Sequence, residues 1–168
     1  VSAAFSSVIL TGIILAVGLV TICMHGNIYL GTIDILKGFG VVALGSISAT
    51  SIFMIVVLFL KSVSASGAFF GLLSAVSGFI IGAYILISQF SEAIQTVCNI
   101  FPASQITIVL RNVLINGLLE HMNTTLDGVD QGMFVTSIKE LFSFKARLFD
   151  GYFDMSQMLV YIVVSIVI

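Results

Sequence analysis

Apolar residues run almost unbroken through three stretches of the chain, with no Asp, Glu, Lys or Arg at 1–24, 38–60 or 62–91. Each exceeds the roughly 20 residues that an α-helix needs to cross about 30 Å of hydrocarbon. The pattern predicts spans at 3–24, 39–60 and 67–87, with a linker over 25–37 and a tight turn, KSVSAS, at 61–66. A fourth apolar run covers 152–168, too few residues to cross at 1.5 Å each, and the chain is expected to be a fragment of a longer protein.

Between the third and fourth runs the pattern changes. In 90–101, Phe90, Ala93, Ile94, Val97 and Phe101 recur at helical spacing, and Ser91, Glu92, Gln95 and Asn99 fall on the other side. This piece is too short and too polar to cross. Pro102, the only proline, stops it, because proline lacks an N–H and disfavours helix in the preceding residue. The chain restarts with a stripe of Ile106, Val109, Leu110, Val113 and Leu114, and Gly117 is expected to stop it. The two pieces predict a re-entrant hairpin at 90–117. Arg111, on its second arm, should snorkel to headgroups or pair with Glu92 or Glu120, since an unpartnered charge in lipid costs on the order of 3 kcal/mol. The stretch 118–151 is a polar segment with a DGVDQG turn at 127–132 and an amphipathic helix expected over 133–149. The expected fold class is all-α: a polytopic transmembrane helix bundle, one domain over 1–168, with a re-entrant hairpin before the last span.

Composition adds the environment. The chain is 59% hydrophobic and only 8% charged, leaving no polar coat for a water-facing surface. A net charge of −2 argues against a nucleic-acid partner. In the third span Gly67, Gly71, Ser74, Ala75, Gly78 and Gly82 share one face, a small-residue groove that permits close helix approach in lipid.

Candidate chemistry is sparse. No phosphate-binding GxxxxGK[ST] loop occurs, so the chain carries no ATPase motif and is not read as an enzyme. The GSIS and AVSG tetrapeptides at 45–48 and 75–78 faintly suggest an intramembrane serine nucleophile, but His25 and His121 lie outside the spans. Cys23 and Cys98 match no zinc or redox spacing; with the two histidines they offer a metal site only if the fold gathers them. The spans carry no ionisable residue in their middles, which disfavours an H⁺-coupled carrier.

The stretch SGFIIGAYILISQFSEAIQTVCNIFPASQITIVLRNVL at 77–114 resembles the membrane domain of type-2 ABC exporter permeases, with Gly82, Tyr84, Ser88, Pro102 and Arg111 at the matching positions. The resemblance covers most of the chain. It implies a permease that forms the substrate pathway and works beside a second permease copy or paralogue in the lipid bilayer. A separate ATP-binding cassette subunit would hold the ATP and Mg. It also implies a multi-pass protein of the cell membrane, the plasma membrane of a bacterium, with the 61–66 turn in the cytoplasm and the hairpin outside. Counting Lys and Arg alone would put the long loop in the cytoplasm instead. The alternative reading is a non-transporting membrane scaffold or assembly protein that packs partner helices through the glycine face of 67–82.

Overall fold

A computed structural model describes residues 2–26, 29–60, 62–126 and 131–167. Helix α1 (Ser2–Met24), α2 (Thr32–Phe59) and α3 (Val63–Ile80) are long and apolar enough to cross a membrane. Helix α4 (Glu92–Ile100) and α5 (Pro102–Leu126) meet at a 94° bend. After them come α6 (Met133–Leu141), strands β1 (Ala146–Leu148) and β2 (Gly151–Phe153), and α7 (Met155–Val167). The chain is therefore an all-α bundle with one small β-hairpin, which the sequence pattern did not announce. Large apolar side chains stand open along α1, such as Phe5, Leu10, Ile14 and Val17. Several such helices together make this a membrane protein.

Helix α2 is the spine. It starts seven residues before the expected span, because Gly31 in an extended conformation leads into Thr32 and Asp34 sits in the first turn, where the helix dipole favours a carboxylate. Asp34 then meets Lys37 at 3.7 Å on the next turn. Helix α1 lies beside α2 and shares a Thr11–Ser46 hydroxyl bond of 2.7 Å with it. Helix α5 runs antiparallel to α2: Ile106 fills the notch at Gly45, Leu110 and Leu114 cover Gly38, and Gly117 closes on the carbonyl of Tyr29. Helix α7 runs parallel to α2, with Met158 in the core beside Val41 and the hydroxyls of Ser48 and Ser165 2.6 Å apart and buried. Ile108, Val109 and Met158 are wholly buried at the centre of this three-helix contact.

These contacts fix depth. At 1.5 Å per residue α2 is about 42 Å long, and Gly45 lies roughly 20 Å from its start. Pro102, one turn before Ile106, therefore sits about half-way along the bundle. Helix α5 runs from that depth back to the end where α2 begins, while α4 leaves the elbow at a right angle. The expected hairpin is present as this right-angled elbow.

Several expectations are corrected. Gly117 does not stop α5, which continues to Leu126; a helical glycine costs only about 1 kcal/mol, and here it admits the Tyr29 carbonyl. At 25 residues α5 is long enough by itself to span, so the second arm is not the short piece the pattern implied. The third span ends at Ile80, not 87, because Gly82 adopts φ +71° and turns the chain away. Its start moves forward to Val63, with the Ser62 hydroxyl accepting from the Ala65 N–H. Helix α6 ends at Leu141, where Ser143 takes φ +51° and Phe144 N–H bonds back to the Lys139 carbonyl. Lys61 and residues 127–130 of the expected turns lie outside the described residues.

Candidate functional site

The elbow is built inside-out. On α4 the apolar stripe faces outward, with Val97 57% exposed, while Asn99 on the opposite side is 1% exposed. In water this would be the wrong way round; beside lipid it is the stable one, because acyl chains take the apolar face and protein must satisfy the polar one. Asn99 does this work at the break. Its Nδ2 donates to the Arg147 carbonyl at 2.9 Å, its Oδ1 accepts from Ser104 Oγ at 2.8 Å, and its carbonyl accepts from Gln105 Nε2 at 2.8 Å. Pro102 occupies the first helical position of α5, where its missing N–H is no loss, and Phe101 before it is extended. The Tyr161 hydroxyl of α7 donates to the Ile100 carbonyl at 2.7 Å, tying the elbow to the last helix.

A strap formed by residues 141–153 lies across the elbow and is held by side chains that donate to its main chain. Ser88 Oγ donates to the Leu141 carbonyl. Arg111 Nη1 donates to the Phe142 carbonyl and its guanidinium stands 6.0 Å from the Phe142 ring centre. Asn112 Nδ2 donates to the Phe144 carbonyl at 2.9 Å. Glu92 meets Arg147 at 2.8 Å. Leu141 and Phe142 carry the open carbonyls at the C-terminus of α6, where partial negative charge gathers, so Arg111 serves that helix as a cationic cap.

The structure therefore brings Ser88, Glu92, Pro102 and Arg111 to one place. Among the described residues it does not pair Arg111 with a carboxylate: Glu92 is taken by Arg147, and Glu120 accepts from Asn116 at 2.9 Å. The third-span residues scatter. Gly78 lies under the ring of Tyr84, which packs edge-on to Phe79 at 5.2 Å. Gly82 turns the chain next to Ile87, whereas a Cβ on Gly67 or Gly71 would meet nothing within 4 Å. The small-residue face of α3 is thus only partly used within the described residues. Asn99, Asn112 and Arg147 carry the assembly although the pattern did not single them out for it. The signal available was a second polar residue beside Arg111 in an apolar run.

Between the strap, α5 and α6 opens a cleft of about 970 Å³, bordered by Ser88, Gln95, Asn112, Lys139, Tyr152 and Asp154. Lys145 and Asp154 form an ion pair of 3.0 Å at its edge. The lining offers hydroxyl, amide, ammonium and carboxylate groups beside Phe144 and Met155. The other candidate chemistries are not assembled. His25 contacts the carbonyl of Thr21, and His121 stacks on Tyr29 at 4.1 Å, away from Ser46 and Ser48, whose hydroxyls bond to α1 and α7. Cys23 is exposed and Cys98 buried, both as free thiols. Among the described residues no three His, Cys, Asp or Glu side chains gather as a metal site. Comparison with known proteins finds no matching family, curated protein or solved structure.

Proposed function

We propose that this chain is the membrane-spanning permease of an ATP-driven exporter, with a separate ATP-binding cassette subunit supplying ATP and Mg chemistry and a second permease copy or paralogue completing the pathway. The observation that carries the reading is the elbow at Pro102, half-way down the bundle, with α4 leaving it at a right angle and α7 running back beside it. Such a break places main-chain polar groups and a polar helix face at mid-depth, where a solute must be passed between subunits. The bacterial plasma membrane is the proposed location, with the elbow opening outward.

The test is purification of the full-length permease from its native host. It should bring down an ATPase whose turnover changes when the permease is reconstituted with it in vesicles. A permease that purifies with no ATPase, or with one indifferent to it, ends the exporter reading. One observation favours a scaffold reading instead: the open Gly67 and Gly71 on α3. Cysteine at Gly71 that crosslinks to a foreign membrane helix, with no ATPase in the preparation, would select it.

A further inference from the structure

The β-hairpin carries an anomaly that bundle packing does not explain. Its base is firmly seated: Ala146 is wholly buried against Ile108, Val109 and Met158, and Leu148 is buried as well. The strands pair with Arg147 opposite Tyr152 and Leu148 opposite Gly151. At the tip stands Phe149, in the left-handed region at φ +52° and 72% exposed. A bulky residue in that conformation costs on the order of 1 kcal/mol or more, and an exposed aromatic returns nothing in water. Glycine or asparagine would make the same turn without strain.

The surroundings point to what covers the tip. Strand β1 lies against α4 and β2 against α7, so the hairpin sits between two helices whose outer faces are apolar: Ile94 and Val97 on one, Val160 and Val164 on the other. Beside the tip, Tyr152 is exposed and its ring stands 5.5 Å from the Arg147 guanidinium, which also meets its hydroxyl at 3.3 Å. The Arg147 side chain is itself largely buried and paired with Glu92 at 2.8 Å, so what the tip offers its surroundings is its aromatic rings.

We infer that the 146–153 hairpin is a lipid anchor, with Phe149 inserted among the acyl chains while Arg147 stays on Glu92 and Asn99 at the depth of the elbow. The lipid-facing surfaces of α4 and α7 then continue without a gap across the hairpin, and insertion of the ring offsets the strained tip. The anchor holds the strap, and through it the elbow, at a fixed depth.

The chain contains no tryptophan, so Phe149→Trp gives a single fluorescent reporter. In vesicles of phosphatidylcholine and phosphatidylglycerol its emission should shift to the blue, lose quenching by acrylamide, and be quenched by lipids brominated along the acyl chain. Free quenching by acrylamide with none by bromolipid would overturn the anchor, as would shielding from both, which means a protein neighbour. Should Phe149→Trp fail to fold, Tyr152→Trp reads the same tip and should answer the same quenchers in the same way.

Discussion

Arg111 illustrates how a charge is kept in an apolar helix with no counter-charge among the described residues. Its partners are a main-chain carbonyl and an aromatic ring at the end of α6, so the guanidinium is satisfied by helix-end dipoles. Hydrogen bonds to charged groups are worth about 1.5–3 kcal/mol. Arg111→Met should therefore weaken the attachment of the strap by about that much, read as faster proteolysis within residues 141–153 and a lower unfolding temperature. Arg111→Lys should recover only part, since an ammonium cannot both lie against the ring and reach the carbonyl in the same geometry. Gly78 makes a complementary point. Any larger side chain there must expel the Tyr84 ring, so Gly78→Leu should expose Tyr84 and loosen the turn at Gly82. A rise in solvent accessibility of Tyr84 measures it.

At the scale of elements, the long apolar runs and the break at Pro102 were legible because composition and a single proline state them directly. The strap was not. Its attachments run from Ser88, Asn99, Arg111 and Asn112 to main-chain carbonyls, and a carbonyl leaves no mark in a sequence. Two strands of three residues each are likewise too short to show alternation. The faces of α4 were legible from spacing, while which face turns inward depends on the solvent around it. Glycines separate into used and unused ones only in three dimensions. Gly45→Leu collides with Ile106 and should cost about 1–3 kcal/mol in α2–α5 packing. Gly71→Leu faces open space in this chain and should change the stability of the isolated chain by less than about 0.5 kcal/mol. Comparative unfolding in lipid vesicles tests the pair. If Gly71→Leu leaves folding intact yet abolishes assembly, the face is occupied by another helix.

On the scale of the whole molecule, the elbow is held more by its polar contacts than by proline. Pro102→Ala should keep the bend, while adding Asn99→Leu removes the side-chain bonds to Arg147 and Ser104 and lets α4 and α5 join. Spin labels at Glu92 and Asn123 would then move apart from roughly 35 Å towards roughly 47 Å, the length of a continuous helix. Unchanged distance in the double variant would place the cause of the bend elsewhere. Ser64 and Asn123 lie near opposite ends of the bundle, so cysteines there should react with impermeant reagent from opposite sides of a sealed membrane. The crossed bonds between strap and elbow also set an order of assembly. Until the ribosome has delivered residues 141–147, Asn99 Nδ2 and Arg111 lack the carbonyls that they bond in the folded chain, and an unpartnered arginine in lipid costs about 2.5–3.5 kcal/mol. The nascent elbow must wait at the headgroups, and sinks to its final depth only once the chain that locks it has been made.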